Sequence, residues 1–385
     1  MEHLTGNGPI RIGRVAYWSR AAGTHDGLDR WLGIADRRVS VAARELCCRA
    51  TLDGASFRRA AANLARLGQI TVSAARLREI VEAEGRQVAV ARRVGSLGPG
   101  WTSADCAVAS GGPTRVMLGS DGVMVPLVSA GEKAKRRENR RRGRKHRPCR
   151  GSRRSRRGRW SRGSPVTWKE FKIGCFYDQG REHAYAFGTS GDSDALGRLW
   201  RRAAGKVDLN AADQRVAVAD GAEWIDRQLR TRLPMVETRI LDYYHLMEHV
   251  GAAAKVCFGE GTAAAASWRV LLSTAVYEEG GAALLAAVEA TRQETRSKAK
   301  REGLRQLGQY VAKRLGQLDY PAFRAAGYDL GSGPTESYCK ALTARLKGRG
   351  RRWDRPNADA LMALATVEHS RLWPTYWRQQ LEPAS

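Results

Sequence analysis

The chain has 385 residues, with 66 Lys and Arg against 39 Asp and Glu and a formal net charge of +27. Small soluble domains usually carry a net charge of about 2–8 in magnitude, so this excess points to polyanionic partners, nucleic acid ahead of an anionic membrane. The 43% hydrophobic content excludes wholesale disorder, no apolar run is long enough to span a membrane, the N-terminus lacks a signal segment, and the scattered cysteines contain no Cys-x-x-Cys pair of the kind a zinc ribbon needs.

Residues 28–95 read as helical. Leu28, Trp31, Leu32 and Ile34 open the pattern, and Val41, Ala42, Leu46 and Ala50 continue it. Phe57, Ala60, Ala61, Leu64 and Leu67 follow at helical spacing, and Gly68 stops them. Thr71–Val72–Ser73 can cap a further helix carrying Leu77, Ile80 and Val81. This is a helix-turn-helix pattern, equally consistent with DNA reading and with plain helix packing. Residues 96–113 read as a linker by composition.

Strands follow. The first covers 115–119 and ends at Ser120–Asp121–Gly122. Residues 131–163 then hold 17 Lys and Arg and two Glu. With almost no large apolar residue before Trp160, this tract is expected to be a disordered basic loop. It is either a solvated insertion or an arm that tracks phosphates. Strands are expected at 168–177, 182–189, 215–219 and 237–241. Helices are expected at 194–204, 222–233 and 243–258, with Trp200 and Trp224 in the core. The order β β β α β α β α implies an α/β, ribonuclease-H-like mixed sheet of strand order 3-2-1-4-5, preceded by an all-helical N-terminal region. Residues 260–325 read as an all-helical insertion. One helix starts near Pro334 and another spans 357–378.

Three acids stand at chosen places: Asp121 after the first strand, Asp220 after the fourth, and Glu336 opening a late helix. Strands one and four are neighbours in a 3-2-1-4-5 sheet, which brings Asp121 and Asp220 to one edge. Breaking and joining a phosphodiester requires charge neutralisation at the attacking and leaving oxygens, which two Mg²⁺ ions supply. Mg²⁺ takes hard oxygen ligands, and clustered carboxylates without a cation repel one another. Asp-Gly after a strand is also an ordinary turn.

At these residues the sequence resembles the Kra-type insertion-sequence transposases, DDE enzymes related to the Mutator-like group. The resemblance lies in 120–127 (SDGVMVPL), 168–177 (WKEFKIGCFY), 219–225 (ADGAEWI), 240–249 (ILDYYHLMEH), 331–340 (GSGPTESYCK) and 347–353 (KGRGRRW), with weaker likeness in 28–34 and 57–85. It implies metal-dependent DNA strand cleavage followed by 3′-OH strand transfer. Asp121, Asp220 and Glu336 would be the catalytic and metal-binding carboxylates for two Mg²⁺, with Mn²⁺ as a substitute. Asp242 is the rival ligand to Asp220. His245 would support the reaction near the scissile phosphate, or be a partly buried helix histidine. The implied partners are transposon-end and target DNA, in a homodimer or larger synaptic assembly without a membrane, and the implied location is the bacterial cytoplasm at the nucleoid.

The domains expected are a helical DNA-binding region at 1–95, a linker at 96–113, a catalytic core at 114–259, a helical insertion at 260–328 and the rest of the core at 329–385. DNA contacts are expected from Arg136, Arg137, Arg141, Arg142, Arg144, Lys145, Arg153 and Arg154 in the basic tract. Lys340, Arg345, Lys347, Arg349, Arg351 and Arg352 follow Glu336 in the same role, and Trp353 either stacks on a frayed base or packs against the ribonuclease-H-like core. Two departures from the family pattern stand out. Residues 17–23 lack the family's Cys-x-x-Cys, and the 131–163 tract is unusually basic. A non-catalytic repressor derived from such an enzyme and a structure-selective ribonuclease-H-like nuclease are the competing readings.

Overall fold

A computed structural model describes residues 2–13, 17–21, 23–25, 39–129, 131–135, 137–138, 167–348 and 351–381. In chain order the elements are β1 (Glu2–Thr5), β2 (Gly8–Arg11), β3 (Tyr17–Ser19), β4 (Gly23–His25), α1 (Val41–Asp53), α2 (Phe57–Leu67), α3 (Ala74–Val94), β5 (Arg115–Leu127), β6 (Thr167–Asp178), β7 (Ala184–Thr189), α4 (Ser193–Lys206), β8 (Gln214–Ala219), α5 (Glu223–Arg232), β9 (Thr238–Leu241), α6 (Tyr243–Phe258), α7 (Ala263–Glu279), α8 (Gly281–Glu294), α9 (Lys298–Ala312), α10 (Tyr320–Ala325), α11 (Gly333–Lys347), α12 (Arg355–His369) and α13 (Trp373–Leu381). They divide into two compact units. The first holds 1–98, 123–171 and 340–385, and the second holds 99–122 and 172–339. Among the described residues no helix is long and apolar enough to cross a membrane.

The first unit is mainly helical. Serine begins each of its first three helices. The hydroxyls of Ser40, Ser56 and Ser73 accept from the backbone N–H groups of Ala43, Arg59 and Arg76, filling donors that a helix start leaves open. Gly68 ends α2 and Ser73 starts α3, as their residue types predict. α12 packs on α3, and α13 on α1. Inside, the Arg44 guanidinium meets the fully buried Glu84 carboxylate at 2.9 Å, and the Tyr376 hydroxyl donates to the same carboxylate at 2.6 Å. A buried charge is tolerated only when partnered in this way.

Two sequence expectations for this unit are corrected. The N-terminal region is not all-helical, because β1–β2 and β3–β4 form antiparallel hairpins. Gly6–Asn7 is a two-residue turn that lets Thr5 face Gly8. The single helix expected over 357–378 is two helices. The chain breaks at Arg371, where φ is +56°, and Pro374 fits only the first turn of a new helix. Leu28, Trp31, Leu32 and Ile34 lie outside the described residues, as does most of the 131–163 tract, of which 131–135 and 137–138 are helical.

The second unit is built on a mixed sheet of order β7-β6-β5-β8-β9, which is the expected 3-2-1-4-5. β5 and β8 pair in parallel from Arg115 opposite Gln214 to Leu118 opposite Ala217. β8 and β9 also run parallel, while β6 and β7 are antiparallel. Val116, Met117, Leu118, Val216, Val218 and Ile240 are buried, as near-continuous apolar runs in parallel strands should be. Trp200 is fully buried. Trp224 is only half-buried, with the Lys172 ammonium 4.1 Å from its ring centre. The insertion forms α7, α8, α9 and α10.

Two further corrections concern this unit. Residues 99–106 are anchored, with Trp101, Ser103 and Cys106 buried and the Trp101 Nε1 donating to the Ala184 carbonyl at 3.3 Å, while 107–111 are exposed. A tryptophan in a Gly-rich stretch was the missed sign. The first strand also does not stop before Asp121. β5 runs to Leu127, because the Ser120 hydroxyl donates to the Ile173 carbonyl at 2.7 Å inside the sheet and Val123, Val125 and Leu127 are buried beyond it. Ser-Asp-Gly reads as a turn only when no neighbouring strand takes up its polar groups.

One close approach sets the start of α11. A Cβ on Gly119 would fall on the Thr335 side chain, so only glycine lets that helix rest on β5. The Cys175 thiol sits 3.5 Å from the Thr335 hydroxyl and 3.6 Å from the Gly119 carbonyl. Gly119→Ala is expected to cost about 1–3 kcal/mol through overpacking, read from the denaturant midpoint. Adding Thr335→Ala to it should restore part of the loss.

Candidate functional site

The site lies in the second unit, where three strand segments and two helix starts converge. Asp220 follows β8 directly. Its Oδ1 accepts from the Ala222 N–H at 2.9 Å, and Gly221 between them has φ +81°, a conformation that a side chain resists. The insertion braces this loop. Tyr310 in α9 donates to the Asp220 carbonyl at 3.4 Å, and Arg314 donates to the Gly221 carbonyl at 3.2 and 2.6 Å. The Arg314 guanidinium also lies 4.0 Å from the Tyr310 ring centre.

Asp242 follows β9, and its own N–H donates to the Ala219 carbonyl at 2.7 Å. The side chain is buried, and both oxygens are used. Oδ1 caps α6 by accepting from the N–H groups of Tyr244 (2.7 Å) and His245 (3.1 Å). Oδ2 accepts from the Ser332 N–H at 2.6 Å and from the Ser332 hydroxyl. Ser332 immediately precedes α11, and its carbonyl accepts from the Glu336 N–H at 3.0 Å. One carboxylate thereby fixes the starts of both helices that carry His245 and Glu336.

Asp242, His245 and Glu336 each offer a ligand atom, and these atoms lie within 4.8 Å of one another. Among the described residues this is the one group of three His, Cys, Asp or Glu that meets that condition. Asp121 and Asp220 fall outside it, so the rival ligand Asp242, rather than Asp220, shares this group with Glu336. The reason is chain path: β9 hands Asp242 straight to the helix that carries His245. Two carboxylates and an imidazole suit Mn²⁺ or Zn²⁺ at least as well as Mg²⁺, and further carboxylates shift the preference toward the harder ions. His245 Nδ1 also lies 3.3 Å from the Glu248 carboxylate.

Asp121 and Asp220 stand beside this group. Burial pushes the Asp121 carboxyl above its ordinary value, and the Asp220 charge pushes it further. The Gly122 N–H, a Cys339 thiol bond and His245 pull it back in part. Burial raises the Cys339 thiol strongly, and the Asp121 and Glu336 charges add to that. His249, stacked on Tyr310 at 4.0 Å, is held below the usual imidazole range by burial first and by Arg314 second. Sequence reasoning missed Ser332, Cys339, Tyr310 and Arg314. Cys339 was findable, being three residues after Glu336 on one helix face. Tyr310 and Arg314 gave no sign of their target.

The expected DNA-contact residues separate. Lys340 and Lys347 are exposed on α11, and Arg351 and Arg352 are at least partly exposed. Arg345 is buried, donating to the Thr51 carbonyl at 3.0 Å and the Ala55 carbonyl at 3.3 Å. Trp353 is also buried, edge-on to Phe57 with ring centres 5.8 Å apart. Trp353 is thus buried against α2 of the first unit, neither stacked on a base nor packed on the sheet core as expected. Arg136, Arg141, Arg142, Arg144, Lys145, Arg153, Arg154 and Arg349 lie outside the described residues. The chain matches no protein-family model and no curated protein.

A raised carboxyl in the folded state binds more protons than its unfolded counterpart, so stability falls as pH rises from the ordinary value of 3.8 through the raised one. Asp121→Asn should therefore raise the melting temperature of the metal-free protein at pH 7, and the gain should vanish below pH 3.8. In the same assay Mn²⁺ should raise the melting temperature of the natural protein, and Glu336→Gln should lose most of that shift.

Proposed function

We propose that the chain is a metal-dependent DNA strand transferase of the DDE type, built on a ribonuclease-H-like fold and acting on the ends of a mobile DNA segment. The observation that carries this reading is the convergence of Asp121, Asp220, Asp242, Glu336 and His245 in an otherwise strongly basic protein. Carboxylates gathered at one sheet edge destabilise the protein unless a cation offsets them. The strand order agrees, since it sets the strands bearing Asp121 and Asp220 side by side.

Glu336 and Asp242, whose ligand atoms lie within 4.8 Å of one another, would hold a cation, with Asp121 and Asp220 beside them available for a second. Bound there, Mg²⁺ or Mn²⁺ supplies Lewis-acid charge neutralisation for a phosphodiester. The protein's own part is to position. Asp242 holds the α6 start, which fixes the direction of His245 toward the acidic group. The His245 imidazole donates to a phosphate oxygen or takes a proton from the attacking water or 3′-hydroxyl. Tyr310 and Arg314 hold the Asp220 loop against displacement when a phosphate arrives. The basic residues of the chain lend affinity that weakens steeply with salt.

The test uses duplex DNA carrying inverted repeats from either side of the gene, with Mg²⁺ or Mn²⁺. The natural protein should cleave and join strands. Asp220→Asn and Glu336→Gln should each lose at least about 100-fold in cleavage while keeping DNA affinity within a few-fold. Normal cleavage by either variant overturns the assignment. Binding without cleavage by the natural protein supports the repressor, and cleavage of hybrids without joining supports a structure-selective nuclease.

A further inference from the structure

The first unit contains a cavity of about 560 Å³, within the ~300–1,000 Å³ range of small-ligand sites. Its basic lining is Arg78, Lys133, Arg137, Arg345, Arg351 and Arg352, and its acidic lining is Glu82 and Asp354. Both acids already have partners. Glu82 lies 3.8 Å from Arg78, and Asp354 pairs with Lys133. Arg345 and Arg351 donate only to backbone carbonyls, those of Thr51, Ala55 and Ala344. Neutral carbonyls satisfy hydrogen bonds without a countercharge, and Arg345 is offset only by the rings of Phe57 and Trp353, 5.2 and 5.6 Å away. Arg137 and Arg352 are exposed.

The repulsion in this wall is visible. Burial first, and the Arg351 charge second, bring the Arg345 guanidinium down to about 10. Burial likewise lowers Lys133, with Arg137 and Arg78 adding to it and Glu82 opposing. Two helix starts border the same space, α2 through Ala55, Ser56 and Phe57 and α12 through Asp354 and Asn357. Helix starts favour negative charge. Trp353, 7% exposed, lines the cavity too, and its Nε1 is a buried donor with no partner.

We propose that this cavity is a phosphate-binding site that takes a phosphorylated nucleotide unit. Four cationic charges without a carboxylate of their own exceed what a single carboxylate ligand would offset. A terminal phosphate carries about −1.5 to −2 charges and three acceptor oxygens, and guanidinium forks match it in geometry. Lys133 and Arg137, cations of the basic tract within the described residues, lie in this wall. The cavity lies in a different unit from the acidic group and needs no divalent cation.

The experiment measures binding without divalent cations, so it stands or falls independently of any chemistry at the acidic group. The probes are a labelled 5′-phosphorylated oligothymidine of ten residues, its 5′-hydroxyl counterpart and AMP. Arg137→Ala/Arg352→Ala changes two exposed side chains and should weaken binding of at least one probe tenfold or more. Arg59→Ala/Arg66→Ala removes the same charge from exposed positions outside the cavity lining and should change binding by less than threefold. Loss confined to the phosphorylated strand assigns the site to a strand end. Equal loss on both strands assigns it to an internal phosphate, and loss on AMP alone assigns it to a free nucleotide. Less than twofold change with every probe, or an equal loss in the control variant, overturns the proposal.

Discussion

A carboxylate has two oxygens, and Asp242 spends each on a different helix. Through Oδ1 it closes the start of α6, and through Oδ2 it holds Ser332 ahead of α11. Its backbone N–H reaches the last residue of β8. Three pieces of chain that carry His245, Glu336 and Asp220 are thereby referred to one buried residue, two through its side chain and one through its backbone. A charge so deep is stable only because its oxygens accept several N–H and O–H bonds. Removing the side chain would release the α6 and α11 starts together while leaving the backbone bond to β8, which separates its structural part from that of the acids around it.

Those acids are held at a cost. Burial and mutual repulsion raise Asp121, so the folded chain carries a local penalty at neutral pH. Interiors normally avoid such crowding, and where it persists it marks a site arranged for a purpose. The first unit has the opposite feature, a wall of six cationic side chains against two carboxylates. The two units thus hold complementary imbalances: one favours binding a cation, the other an anion.

Much of the second unit was legible in the sequence because its strands are short apolar runs ended by acids. The order of the sheet, the position of Asp220 after its strand, the span of α6 and the start of α11 all follow from apolar periodicity and end signals. The failures have physical causes. Ser120–Asp121–Gly122 resembles a turn, but a neighbouring strand accepts the Ser120 hydroxyl and the strand continues. Arg345 and Trp353 resemble surface DNA contacts because they lie in a basic run. Aromatic contact with Phe57 and backbone carbonyls from the α1 end draw them inside instead. The choice between Asp220 and Asp242 depended on side-chain direction, which spacing does not encode.

The brace on the Asp220 loop has a consequence for the order in which the molecule can form. Tyr310 and Arg314 are 90 and 93 residues beyond the carbonyls they hold, and Ser332 is 90 residues beyond Asp242. Contacts so distant close late, after the local helices and hairpins, because the intervening chain must first lose its freedom. During synthesis the sheet strands emerge long before the segments that set the acids in place. A ribosome-bound chain therefore carries the basic segments of its N-terminal half well before it has an assembled acidic group. Any attraction to nucleic acid precedes any capacity to act on it.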